Sequence, residues 1–180
     1  MGMTHSMHTH TCGELRRDQI GQEVTLTGWV WHRRDHGGLI FVDLRDREGV
    51  TQISFDPEHS GGEAFHIAET IRPEWPLKVT GVVRERPEGM NNPKLATGDI
   101  EVLIDHIEVL NTSKTPPFQI EDHMDTAEDV RLRYRYLDIR RPHMMSNLKL
   151  RSDFTFAIRD ALHNRAFMEV ETPALFKSTP

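Results

Sequence analysis

Hydrophobic and polar residues alternate along the first hundred positions of the chain. Val24, Leu26 and Val30 fall on one parity, against Thr25, Thr27, Trp29 and Trp31 on the other. Ile40, Val42 and Leu44 stand against Leu39, Phe41, Asp43 and Arg45. Period-two alternation of this kind predicts half-buried antiparallel strands. Gly37 and Gly38 supply the positive-φ positions of a hairpin turn between them. That turn is expected to carry His32, Arg33, Arg34 and His36 into solvent. A third strand is predicted over 49–55, with Thr51, Ile53 and Phe55 on one face and Val50, Gln52 and Ser54 on the other. The stretch "EAFHIAETI" clusters Phe65, Ile67, Ala68 and Ile71 as one short helix. Two more strands follow over 75–86 and 98–111, separated by the irregular loop "PEGMNNPKLAT".

Three strands, a helix and two strands are the element order of an OB-fold, a five-stranded Greek-key barrel that holds single strands on strands two and three. Phe41 is the telling residue. It shares a parity with Asp43 and Arg45, and an aromatic ring beside guanidinium groups on an outer face is the chemistry of base stacking.

After Asn111 the pattern changes. "TSKTPPFQIEDHMD" is a polar connector, and Thr126 is expected to cap a helix beginning at "AED". Arginine, leucine and tyrosine then alternate from Arg131 to Arg141. A longer helix is predicted over about 144–165, with Leu150, Phe154, Ile158 and Leu162 spaced by four. Phe167, Met168 and Val170 suggest a short buried strand stopped by Pro173. The expected organisation is a tail and lead-in over 1–19, the barrel over 20–111, a hinge over 112–142, and over 143–180 the first helix and strand of a second, α+β domain. A strand that opens a domain near the last residue leads to the expectation that the chain is a fragment, or that its partner half is missing.

Composition adds constraints. The 180 residues are 37% hydrophobic and 28% charged, ordinary values for a globular protein. A single cysteine excludes an intramolecular disulfide, and a reducing cytoplasm is the expected compartment. No apolar run approaches the roughly 20 residues of a membrane span. His5, His8, His10 and Cys12 have metal-binding side chains, but the tail reading gives them no fixed geometry, so no metal site is expected. The net charge of −6 counts against nucleic-acid binding when taken globally. Taken locally it does not, because the positive charge gathers in "HRRDH", at Arg84 and Arg86, and in "RLRYRYLDIRR".

"GWVWHRRDHGGLIFVDLRDREG", "KLATGDIEVL", "RLRYRYLDIRRP" and "FMEVETPAL" together resemble the N-terminal part of the bacterial aspartyl-tRNA synthetases, from about Cys12 to Pro180. These are class II enzymes with an anticodon-binding OB barrel, a hinge and a catalytic antiparallel sheet. The resemblance implies that anticodon bases stack on Phe41, pair with Gln52 and Asn92, and are held by Arg34. Arg33 stands in reserve, because strict parity puts it rather than Arg34 beside Trp31. His32 departs from the family, which usually has arginine there; histidine is mostly neutral near pH 7 and attracts phosphate less. His36 and Gly89 resemble the subgroup that charges both tRNA(Asp) and tRNA(Asn), whose anticodons differ only at the third base. The helix from about 144, with Pro173, resembles the first class motif, which builds the homodimer. Motifs two and three, which hold ATP with Mg²⁺, are not in these residues. The resemblance therefore implies no catalytic residue and no cofactor bound here. The family's glutamate that follows "STP" would fall one residue past Pro180.

Other readings bear on the same residues. Phe41 can be packing under the short helix, and Arg33 and Arg34 simple surface charge. The hinge arginines can contact a tRNA stem or pair with the acidic run at 121–129. Tyr134 and Tyr136 fit hinge packing, and Glu169 with Glu171 a dimer-forming edge rather than acid–base work. A free-standing OB module for single-stranded nucleic acid explains residues 20–110 equally well, but not "FMEVETPAL" after a long helix. A protein-interaction domain is the third alternative.

Overall fold

The computed structural model describes residues 7–175 and 177, which fall into two compact units, Met1–Pro117 and Phe118–Pro180. In the first unit, strands β1 (Glu23–His36), β2 (Leu39–Arg45) and β3 (Val50–Phe55) precede helix α1 (Gly61–Thr70). Strands β4 (Pro76–Glu85) and β5 (Ile100–Val109) follow. They close into a barrel in the order β1-β2-β3-β5-β4, with β1 returning to β4. All neighbours are antiparallel except β3 and β5, where Ile53 aligns with Val102 and Ser54 with Leu103 in parallel. This is the five-stranded OB topology that the alternation predicts.

The inward parity fills the barrel. Val24, Leu26, Val30, Ile40, Val42, Leu44, Ile53 and Phe55 are essentially sealed from solvent. Val79, Val83, Val102 and Ile104 complete the core from β4 and β5, and Ala68 and Ile71 close one end from α1. Burying a side chain of this size stabilises by about 1.5–3 kcal/mol.

The structure corrects three expectations here. Residues 8–19 are no tail. Cys12 and Leu15 are fully buried in the core, and the Thr9 amide donates to the Thr25 carbonyl at 2.9 Å. The Cys12 amide donates to Asp46 at 2.7 Å, and its carbonyl accepts from the Thr51 hydroxyl at 2.5 Å. Two isolated apolar residues in a polar stretch carry no periodicity, so the sequence hides this strap. His5 lies outside the described residues, and among those described no group of three or more metal-binding side chains converges. Second, the residues His32 to His36 are not turn but strand. β1 runs to His36, and Gly37 and Gly38, at φ of 64° and 94°, form the whole turn. The third concerns β1 itself. Its register steps from Val30–Leu44 to His32–Asp43, leaving Trp31 as the extra residue of a bulge.

The second unit holds helices α2 (Glu128–Arg133), α3 (Arg135–Asp138) and α4 (Pro142–His163). Thr126 does not cap α2. The cap position is Ala127, without a side-chain bond, and the Thr126 carbonyl accepts from Arg131 instead. Phe118, Ile120 and Leu137 form a small core on which Tyr134 packs, whereas Tyr136 is exposed. The hinge arginines find partners within their own unit. Asp138, fully buried, binds Arg135 and Arg141, with Arg131 at 3.9 Å, and Arg141 also reaches Asp122. Phe167, Met168 and Val170 form no buried strand; they are exposed and irregular. Extended backbone becomes a strand only against a hydrogen-bonding neighbour, and none lies beside them among the described residues. Pro173 sits in this same irregular segment, and "STP" lies outside the described residues. No helix among the described residues is long and apolar enough to cross a membrane.

Candidate nucleic-acid interface

The bulge at Trp31 builds the site. Without it, strict alternation would put Arg33 outside; with it, Arg34 pairs with Phe41 and His32 with Asp43 across the ladder. His32, Arg34, Phe41, Asp43, Gln52 and Ser54 therefore share the outer face of β1, β2 and β3. Arg33 takes the other face, where its Nε donates to the Ala68 carbonyl in the last turn of α1 at 2.9 Å. It closes the barrel end and is removed from the interface.

This outer face is wet at its rim and dry beneath. Asp43, Ser54 and Glu101 are buried under longer side chains laid over them. Arg34 donates two parallel hydrogen bonds to Asp43, at 3.0 and 2.8 Å, and a third to Gln52 Oε1 at 3.3 Å. Gln52 Nε2 donates to Glu101 at 2.6 Å, and Arg84 donates to Glu101 at 2.7 Å and to the Ser54 hydroxyl at 3.3 Å. A guanidinium can only donate and an ionised carboxylate only accept, so Gln52 sits between opposite demands that fix which way its amide points. One N–H and one lone pair of that amide remain to face a ligand.

Electrostatics keep Asp43 charged. Burial pushes the Asp43 pKa upward, but a hydrogen bond from His32 and the adjacent Arg34 outweigh it and hold the carboxyl below its ordinary value. Arg86, buried with its Nε on the Ile100 carbonyl, has its pKa drawn down by burial, an effect opposed by Glu101 and Asp43. Glu101 is the residue that sequence reasoning missed. It stands in "GDIEVLIDH" as one more alternating charge, and only the closed barrel brings β5 beside β3.

Phe41 is half-buried on the same face, directly opposite Ser54 and two residue pairs along from Asp43 and Gln52. The His36 ring flanks it at 6.0 Å between centroids, tilted by 57°. Asn92 lies in the β4–β5 loop with its side-chain oxygen accepting the Lys94 amide at 3.1 Å, which leaves its NH₂ and one lone pair of that oxygen to offer a base. Gly89 sits in the same loop at φ of 79°, with open space where a side chain would project.

A flat ring, a fixed carboxamide and paired guanidinium and carboxylate groups can together stack a base and read its edge. Comparisons with known proteins bear on that. Residues 24–110 match the OB-fold nucleic acid binding domain, and residues 127–180 match the tRNA synthetases class II (D, K and N). The chain belongs to the class II tRNA synthetases. It is 56% identical over 177 residues to the aspartate–tRNA(Asp/Asn) ligase of Rubrobacter xylanophilus, covering 98% of this chain and 29% of the relative. Against the ligase of the same name from Anoxybacillus flavithermus it is 57% identical over 172 residues, covering 96% of this chain and 29% of the relative. The chain thus spans less than a third of these synthetases. Among solved structures, it resembles the asparaginyl-tRNA synthetase of Pyrococcus horikoshii, complexed with asparaginyl-adenylate, at TM-score 0.77 and 27% identity. That match covers 91% of this chain and 36% of the other. The aspartyl-tRNA synthetase of Entamoeba histolytica, at TM-score 0.79 and 21% identity over 88% of this chain and 38% of the other, shares the fold. The match at 127–180 removes the ground for a free-standing OB module.

Proposed function

We propose that the outer wall of β1, β2 and β3 reads the anticodon of tRNA, as part of a protein that joins aspartate to tRNA. The observation that carries this is the Gln52 carboxamide, clamped between Arg34 and Glu101 beside the Phe41 ring. A base stacked on Phe41 gains about 1–3 kcal/mol whatever its identity. Its edge then meets donors and acceptors whose directions are already set, so selection costs little ordering. Arg34 and His32 hold the approach from β1, and Asn92 offers its NH₂ from the β4–β5 loop.

Gly89 and His36 extend the reading to specificity. An open Gly89 places no side chain against the third anticodon base, so C and U are accepted alike and both tRNA(Asp) and tRNA(Asn) are substrates. ATP with Mg²⁺ activates aspartate in the part of the relatives that this chain does not span. Among the described residues no side-chain cluster fits a metal ion. Attack of the aspartate carboxylate on the α-phosphate asks for positioning and charge neutralisation rather than a protein nucleophile. The described residues contribute recognition, and α4 with the Pro173 segment contributes a homodimer interface. The working compartment is the cytoplasm.

Titration of tRNA(Asp) anticodon stem-loops against the chain, Phe41→Ala and Gln52→Ala tests the face. Both variants should bind more weakly; equal affinity for all three would remove the assignment. Pyrophosphate exchange by these 180 residues alone should be absent, and its detection would overturn the division of labour.

A further inference from the structure

The β4–β5 loop that carries Gly89 and Asn92 is pinched at its neck. The Arg86 amide donates to the Asp99 carbonyl and the Asn92 amide to the Gly98 carbonyl, both at 3.0 Å. Gly98 is packed so closely that a Cβ there would fall 1.8 Å from the Asn92 carbonyl oxygen. The side chain of Asn91 donates to Asp99 Oδ1 at 3.0 Å and ties the loop to its own base. Two carboxylates stand at that base: Glu85 at the end of β4 and Asp99 just before β5. Unneutralised, they repel each other and any phosphate that approaches.

One residue outside the loop answers both. Arg17 lies in the 3₁₀ turn Arg17–Gln19 of the N-terminal strap, which Cys12 and Leu15 anchor in the core. Its NH1 meets Glu85 at 2.7 Å and its Nε meets Asp99 at 3.2 Å. The guanidinium therefore spans the entry and exit of the loop with two prongs, and Asp99 passes the restraint on to Asn91, next to Asn92. Hydrogen bonding to Asp99 and the charge of Glu85 raise the Arg17 pKa, and Asp99 is lowered in turn by Arg17 and Asn91.

We propose that Arg17 is a positioning residue for anticodon recognition, holding the β4–β5 loop in the conformation from which Gly89 and Asn92 meet the third base. The inference rests on the anticodon-reading function proposed above. Both ion pairs are about half exposed, and exposed pairs contribute little to global stability. The effect therefore belongs to loop order and RNA binding rather than to the folding of the barrel.

The test compares the parent chain with Arg17→Ala and Arg17→Lys by amide hydrogen exchange, by Tm, and by titration with stem-loops bearing C or U at the third anticodon position. Arg17→Ala should speed exchange at the Asn92 and Gly98 amides and leave Tm unchanged. It should also weaken binding of both stem-loops by roughly two- to thirtyfold, the range over which residues away from a ligand modulate binding. Arg17→Lys keeps the charge but cannot hold both carboxylates in one plane, and should fall between. Unchanged exchange at the two amides overturns the inference, as does faster exchange with unchanged affinity for both stem-loops. If the parent itself binds neither stem-loop, the anticodon reading falls and takes this inference with it. A parent that binds both, with a variant that binds identically, sinks the inference alone.

Discussion

Arg34 and Asp43 meet across β1 and β2 through two parallel hydrogen bonds, 3.0 and 2.8 Å, with Asp43 buried and Arg34 half in water. The carboxylate is thus the fixed partner and the guanidinium the one able to turn toward RNA. The pairing has a pH signature. Asp43 titrates below its unfolded value of about 3.9, so its contribution is fully present above that pH. It is lost as pH falls through the lower folded value. Asp43→Asn should therefore lower the unfolding free energy measured by urea titration near neutrality, by about 1.5–3 kcal/mol for hydrogen bonds to a charged group. Parent and variant should converge in acid. A gap between them that persists undiminished at pH 2 would contradict this account.

Phe41 offers a different separation. Its ring lies on the outer face, so removing it opens no core cavity. Phe41→Ala should leave Tm within a few degrees of the parent while reducing stem-loop affinity by about 1–3 kcal/mol, roughly five- to 150-fold. A large loss of Tm with unchanged affinity would mean that the ring packs and does not stack.

What the sequence disclosed follows from period and parity. Alternation placed the barrel strands and put Phe41 and Gln52 on one outer face, because side chains in a strand must point to opposite sides. It failed at Arg33 and Arg34 because a bulge inserts one residue without any compositional mark. Only the step from Val30–Leu44 to His32–Asp43 reveals it. Glu101 was illegible for another reason: its partners Gln52 and Arg84 lie on other strands, and non-local register is invisible to a window along the chain. Cys12 and Leu15 were missed because a strap that docks by two side chains has no repeat to detect.

Cys12 supplies a chemical test of that strap. Burial, with the neighbouring charge of Asp46, pushes the thiol pKa far above its ordinary value. Only the thiolate alkylates at a useful rate, so the native thiol should resist iodoacetamide at pH 8 and react fully once urea unfolds the barrel. Rapid labelling of the native chain would show that residues 8–19 do not hold to the core.

Helix α4 makes the opposite demand, since its large apolar side chains are exposed among the described residues. Leu150, Phe154 and Phe156 are 69%, 65% and 72% exposed, and Leu148, Ile158 and Leu162 are exposed as well. A 22-residue helix is about 33 Å long. Leu148, Leu150, Phe154, Ile158 and Leu162 share one side of the helix, whereas Phe156, two residues from Phe154, does not. A stripe of one aromatic and four aliphatic side chains supplies a large part of the roughly 800 Å² per partner of a standard interface. Charged neighbours such as Arg151 and Arg159 line the same helix, and the stripe is too apolar to be simple solvent surface. On the proposed dimer, Phe154→Glu together with Ile158→Glu should weaken self-association at least tenfold by sedimentation equilibrium, about 1.4 kcal/mol. Stem-loop binding by the barrel should not change. A parent chain that sediments as a monomer at high concentration would deny α4 a role in dimerisation by these residues. A double variant that dimerises as well as the parent would move the interface elsewhere on the molecule.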